Sequence, residues 1–192
     1  HGVADRLTDD APAVLSQADV VYLCLHPRGI VRFLGEYRDV FKPGSLVTDV
    51  CGVKTSIMAG AEILPEGVDF IGCLPLKGLV AIKYGIEHAF AEMFQKSHLI
   101  LTPRPSSTPE HVSLMERMGA YIGCKDVVKT TPEEHDAILA YTSQMMHIIA
   151  LSVCDDEQLF ACKGFEGSSF RGCTRVAALD VSLWTELFSM NS

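Results

Sequence analysis

Three short runs in the first half of this sequence limit its fold more than any other feature. They are Asp19–Leu25 (DVVYLCL), Ser45–Val50 (SLVTDV) and Asp69–Leu74 (DFIGCL). Each is almost continuously apolar and rich in β-branched residues, the pattern of a strand covered on both faces. Between them, Ile30–Phe41 and Thr55–Ile63 have helical apolar spacing, and Lys42-Pro43-Gly44 makes a turn. Strands alternating with helices at this spacing predict a parallel sheet with right-handed crossovers.

The rhythm then changes. His98–Thr102 reads as a short strand, Thr108-Pro109-Glu110 opens a helix that Gly119 ends, and Tyr121–Cys124 reads as another strand. Thr131-Pro132-Glu133-Glu134 is a fuller helix start, with Thr131 as cap and Glu134 able to reach back as a capping box. From there only helices and short loops are expected. The chain therefore divides near Lys129–Pro132 into an α/β part, 1–130, and an all-α part, 131–192. Ala137–Cys154 carries no charged residue and approaches the length of a bilayer span, but Thr142, Ser143, Gln144, His147 and Ser152 interrupt it. The expected state is a completely buried helix of a bundle, not a membrane span.

Charge and cysteine usage narrow the partners. A net charge of −8 with no Lys/Arg-rich run excludes nucleic acid and anionic membrane surfaces. Seven cysteines, an odd number without a CxxC pair, suit a reducing cytoplasm. Histidines and cysteines do not cluster at metal-ligand spacing, so no metal is expected. The polar, acidic N-terminal residues do not read as a secretory signal.

Two segments of the second part carry the chemistry. Gly167–Asn191 reads GSSFRGCTRVAALDVSLWTELFSMN, with Arg171 and Arg175 one helical turn apart and the sole tryptophan, Trp184, beyond them. Thr131–His147 reads TPEEHDAILAYTSQMMH. Together they resemble the prephenate dehydrogenase family, whose helical domain carries EHD…TS-H/Q-x-P-H and SFRD-x-TR-x-A…DP-x-x-W segments. The resemblance implies a Rossmann-like sheet followed by a helical domain of the 6-phosphogluconate-dehydrogenase type, and a homodimer. The family begins with a strand and a G-x-G-x-x-G turn for the cofactor diphosphate. That motif is absent here, and Gly2–Asp10 resembles a segment that follows it by some tens of residues. The first two strands, and a long helical tail used in dimerisation, are therefore expected to lie outside this sequence.

The implied reaction is the NAD- or NADP-dependent oxidative decarboxylation of prephenate or arogenate. Hydride leaves to a nicotinamide, carbon dioxide departs and the ring aromatises, while a histidine takes the proton of the substrate hydroxyl. In the family that histidine lies in G-x-H-P-M-A-G. The matching stretch here is Gly72–Gly78, and Leu74 occupies the histidine position. The D-V-G-S-V-K serine is likewise replaced by Gly52 in DVCGVK, and a further acidic position falls on Val80, in a Gly78–Gly85 stretch longer than the family's. The substrate-holding side is better kept. His147, Arg175, Trp184 and Ser143, with Gly52, are the implied contacts of an aromatic-pathway carboxylate, although Met146, Gly172 and Val181 depart from the family pattern. A guanidinium fork suits such an anion. His26, Pro27, Cys51 and Gly52 fall at strand ends where a dinucleotide lies in such folds.

Each residue also has a plain structural reading. His147 could be a bonded core histidine, Trp184 simple core, Asp49 a strand-end cap, and His26, His88, His98 and His111 solvated. Three functions follow. One is the dehydrogenase; another is a catalytically silent module that binds an aromatic carboxylate. The third is a hydroxyacid-type dehydrogenase, which needs a lysine on the helical domain that Ala137–Cys162 does not contain.

Overall fold

The computed structural model describes residues 4–76 and 88–191. All three apolar runs form strands: β1 (Val20–Leu23), β2 (Leu46–Asp49) and β3 (Asp69–Pro75). They pair in parallel, with Val20 opposite Leu46 and Leu46 opposite Asp69. A short helix, α1 (Ala11–Leu15), precedes them; α2 (Pro27–Tyr37) and α3 (Thr55–Ala61) make the crossovers. Helix α2 starts three residues before the expected Ile30, because Pro27 sits at the first helical position, where a missing N–H costs nothing.

The sheet is not parallel throughout, which corrects the expectation. Strand β4 (His98–Pro103) runs antiparallel to β3, Ile71 facing Pro103 and Pro75 facing Leu99. Strand β5 (Asp126–Lys129) returns parallel to β4, giving the order β1-β2-β3-β4-β5. A five-residue apolar run marks a strand but carries no sign of its direction. Strand β1 lies at the margin.

Helix α4 (Pro109–Tyr121) also differs from expectation. Gly119 does not end it. A Cβ there would meet Leu99 Cδ2 at 2.6 Å, so the glycine lets the helix lie close on β4. The chain turns at Gly123, with φ near +90°, and the strand forms later, over Asp126–Lys129 rather than Tyr121–Cys124.

The two sheet faces bury different residues of the same runs, as a two-sided strand requires. Val47 and Phe70 face a core with Ile30 and Leu34 of α2 and Ile57 of α3. Leu46, Ile71 and Leu101 face the other way, onto Met115 of α4. Ile30 and Leu34 are fully buried, each contributing about 1.5–3 kcal/mol.

After β5 the chain is helical. Helix α5 (Pro132–Leu139) runs through a π-helical turn (Ala140–Gln144) into α6 (Met145–Cys154). Thr131 caps α5 as expected, its hydroxyl accepting the Glu134 amide, but the Glu134 carboxylate accepts from Thr130 Oγ1 instead of closing a capping box. Of residues 137–154 only Leu139, Gln144 and Ala150 are buried, whereas Tyr141, Ile148 and Ile149 are exposed. The fully buried bundle helix is thus corrected to one with a packed face and an open apolar face. By length and composition alone Pro132–Cys154 could cross a membrane. Two of its buried polar side chains are nevertheless bonded within the protein, Asp136 to the start of α3 and Gln144 Oε1 to Asn191, while His135 Nε2 and Gln144 Nε2 have no partner among the described residues. Helix α7 (Ser168–Thr174), a 3-10 turn (Arg175–Ala177) and α8 (Val181–Met190) follow. Leu187 of α8 is buried in the core between α2 and α3, so the last helix docks onto the sheet part.

Candidate active site

Because β1, β2 and β3 are parallel, the residues that follow them share one edge. His26 follows β1, Cys51 and Gly52 follow β2, and Leu74 closes β3. The loop after β2 is held from within. Asp49, fully buried, accepts from the Cys51 amide (2.9 Å) and Lys54 Nζ (2.6 Å) through Oδ2, and from the Cys73 amide (3.2 Å) through Oδ1. Lys54 Nζ also donates to the Cys51 carbonyl at 2.6 Å. Asp49 caps a turn as expected, but it is also half of an ion pair with no exposed surface. Gly72 makes room for it: a Cβ there would lie 2.9 Å from Lys54 Cδ and 2.2 Å from Thr102 Oγ1.

Around this loop the chemistry is muted. Burial pushes the Cys51 thiol up, and it pushes Cys73 up to about 12, so neither is a ready thiolate. Leu74, half-buried opposite Ile100, offers no group that can take a proton. A Cβ on Gly52 would touch only Leu187 Cδ2, at 3.6 Å, so a serine fits there. Val80 lies outside the described residues.

The helical part brings His147 and Trp184 together, their ring centroids 3.6 Å apart and planes inclined by 30°. His147 Nδ1 lies 2.9 Å from the Ser143 carbonyl. A carbonyl can only accept, so Nδ1 carries the proton and Nε2 is left to accept a hydrogen bond or a proton. Ser143 thus serves the histidine through its backbone. Trp184 also contacts Phe188, with centroids 5.4 Å apart. Arg175 is exposed on a 3-10 turn packed against α6, one turn beyond Arg171; its backbone N–H donates to the Arg171 carbonyl, and its guanidinium has no hydrogen-bond or ion-pair partner among the described residues.

Lys54, Asp136 and Glu186 take structural roles that no motif reading assigned to them. Asp136 Oδ1 accepts the Lys54 amide (2.7 Å) and Oδ2 the Thr55 amide (2.8 Å), while His135 Nδ1 lies 2.8 Å from Oδ1. Burial alone would raise the Asp136 carboxyl; the hydrogen bonds from His135, Thr55 and Lys54 outweigh it and hold the group below its usual range. Glu186 Oε2 accepts the Arg28 amide at 3.0 Å. The only available sign was that Asp136 and Lys54 are charged residues inside the EHD and DVCGVK motifs. The histidines expected at the surface divide. His98 is exposed beside Asp126, whereas His111 is half-buried with Nδ1 3.0 Å from Asp69 Oδ2.

The residues present do not make a dinucleotide cradle by themselves. His26 is exposed and makes no cap bond, Pro27 has no N–H, and the first free amide of α2 is taken by Glu186. His26, Cys51 and Gly52 could form only a wall beside such a cofactor. Among the described residues no group of three or more His, Cys, Asp or Glu could hold a metal ion.

Comparison with known proteins agrees with this architecture. Residues 1–128 match the model of the prephenate dehydrogenase nucleotide-binding domain, and residues 131–192 that of the prephenate dehydrogenase dimerization domain. The cyclohexadienyl dehydrogenase of Zymomonas mobilis is 27% identical over 99% of this chain and 66% of its own length. The prephenate dehydrogenase of Lactococcus lactis is 26% identical over 91% and 49%. The A. aeolicus prephenate dehydrogenase, solved with hydroxyphenyl propionate and NAD+, superposes with a TM-score of 0.77 at 25% identity, over 90% of this chain and 61% of that one. The Synechocystis arogenate dehydrogenase gives 0.73 at 27%, over 94% and 66%. This chain thus spans 49–66% of the length of the curated relatives it matches. Two parallel-sheet motifs, a helical segment docked across their carboxyl edge, and matches along almost the whole chain place it in the prephenate dehydrogenase family.

Proposed function

We propose that this chain binds an aromatic-pathway carboxylate of the prephenate or arogenate class in a cleft bounded by the Cys51–Gly52 loop and the His147–Trp184 pair. The observation that carries this reading is His147: its Nδ1 is committed to the Ser143 carbonyl and its ring is stacked on Trp184, leaving Nε2 for a ligand. Arg175 supplies the carboxylate fork from the turn packed on α6. A Cβ at Gly52 would meet Leu187 Cδ2 at 3.6 Å, so this loop lies beside α8, the helix that carries Trp184. The whole protein is then an NAD- or NADP-dependent dehydrogenase of tyrosine biosynthesis. Its dimer would use the open apolar face of α5–α6, supported by the dimerization-domain match over residues 131–192. Seven free thiols suit a cytoplasmic setting.

This chain by itself holds the ligand without oxidising it. Loss of the hydroxyl proton needs an acceptor at position 74, and a leucine side chain has none. Losing positioned acid–base help alone costs about 100- to 10,000-fold in rate. Leu74→His alone does not restore turnover, because the diphosphate cradle is not among these residues. Turnover of prephenate with either nicotinamide at a rate ordinary for such enzymes would overturn this part.

The binding test uses 3-(4-hydroxyphenyl)propanoate, the kind of ligand bound by the A. aeolicus protein. Its addition should change Trp184 emission saturably, and Arg175→Ala should weaken binding by about 1.5–3 kcal/mol, the range for a charged hydrogen bond. Equal affinity in the wild type and Arg175→Ala would sink the assignment.

A further inference from the structure

We propose that Glu186 and Asp136 are positioning residues that hold the helical part across the carboxyl edge of the sheet, each by capping a helix start there. They thereby set the width of the proposed carboxylate cleft and the register of the His147–Trp184 stack. The proposal rests on that reading of the cleft only for its functional consequence.

The argument begins with what α2 and α3 lack. The first amides of any helix have no partner within it, and the residue before the helix usually supplies a side chain. Neither N-cap does so here. His26 makes no side-chain cap bond, and Lys54 can make none, because an ammonium has no acceptor to offer a helix amide; it is turned inward to Asp49 instead. The missing acceptors arrive from far along the chain. Asp136 bonds the Lys54 and Thr55 amides across sequence separations of 82 and 81, and Glu186 bonds the Arg28 amide across 158. Both are carboxylates placed at positive helix ends, where such charge is favoured. The same device thus occurs twice, on the helices that follow β1 and β2.

Further contacts join the two caps into one frame. Asn191 Nδ2, just beyond α8, donates to the Asp136 carbonyl (3.0 Å) and to Gln144 Oε1 (2.8 Å). Ser56 Oγ of α3 donates to the Met190 carbonyl at 3.0 Å, and Arg28 reaches Ser189 Oγ at 3.5 Å. Trp184 lies two residues before Glu186, and His147 lies on α6, into which the helix carrying Asp136 runs through the π-helical turn. Moving either cap therefore displaces one ring of the stacked pair relative to the other.

The test uses the whole chain and needs no ligand, so its failure is separate from failure of the carboxylate reading. Trp184 is the sole tryptophan, and an imidazole in ring contact alters its emission. The amplitude of that effect, read as the difference in emission from the same protein carrying His147→Gln, is recorded for the wild type and for Glu186→Ala, Glu186→Gln, Asp136→Ala and Asp136→Asn, with thermal melting of the same samples. The expected result is a fall in amplitude by about half or more in both alanine variants, as the stacked population is lost. Glu186→Gln, whose amide oxygen can still accept from Arg28, should recover the wild-type amplitude, and Asp136→Asn part of it. Wild-type amplitudes in the alanine variants would overturn the proposal, even with lowered melting temperatures, because the caps would then stabilise without positioning. If Asp136→Ala does not fold, Glu186→Ala, at a half-buried rim position, decides alone.

Discussion

A lysine without exposed surface is tolerated only where its charge is met, and Lys54 has one carboxylate and one carbonyl to meet it. Lys54→Met should destabilise the chain by about 3–5 kcal/mol, because Asp49 is then buried without its partner. The double change Asp49→Asn with Lys54→Met should cost clearly less than the sum of the single changes, measured by urea unfolding. Additive costs would mean that the two groups are not coupled. Acid reveals two further carboxylates. Burial would raise Asp69, but Ser107, His111, Thr108 and Arg104 hold it below its usual range, and Asp136 is likewise lowered. For a depressed carboxyl the stabilisation is fully present above the unfolded value of about 3.9 and is lost as pH falls through the lower folded value. Unfolding below about pH 4 should therefore be less steep with pH in Asp69→Asn and Asp136→Asn than in the wild type. At this scale the motifs single out His147 and Trp184, whose rings the structure brings into contact. The sequence did not show Lys54 and Asp136 as partners, because their amide–carboxylate bond spans 82 residues and leaves no periodic trace.

Among the elements, the buried runs were legible and the boundaries were not. SLVTDV and DFIGCL became strands buried on both faces, which leaves a continuous apolar signal, and DVVYLCL became a strand with Leu23 buried and Tyr22 exposed. Gly119 misled because glycine signals both a helix end and a close packing contact, and only the neighbour decides. Here the neighbour is Leu99, so Gly119→Ala should cost about 1–3 kcal/mol by overpacking, although alanine is the better helix former. Adding Leu99→Ala should recover part of that loss relative to Leu99→Ala alone. A stabilising Gly119→Ala would show that the helix can lift off β4 at little cost. The direction of β4 was illegible for a different reason: a short apolar run pairs equally well either way, and its neighbours choose.

At the scale of the whole molecule, two open apolar features among the described residues bear on association. One is the margin strand β1, beside which Tyr22 and Leu25 are 39% and 45% exposed. The other is the outer face of α5–α6, where Tyr141, Ile148 and Ile149 are 68%, 51% and 43% exposed. Continuous apolar sequence predicted burial in both places, and neither is completed within the described residues. A contiguous exposed apolar face on a helix marks an association surface, and an unblunted strand edge is a template for pairing. The two make different predictions. If a second copy sits on α5–α6, Ile148→Lys should convert an associated species to monomer in sedimentation, with unchanged helix content. The β1 amides that do not face β2 should then exchange rapidly. If association runs through β1 instead, Ile148→Lys should leave the sedimentation unchanged, and amides along Val20–Leu23 should be protected at high concentration but not at low. We expect the first result. The helical face offers a two-dimensional patch of large side chains, whereas β1 offers one short strand of four residues. A monomer at all concentrations, with rapid exchange along β1, would contradict both.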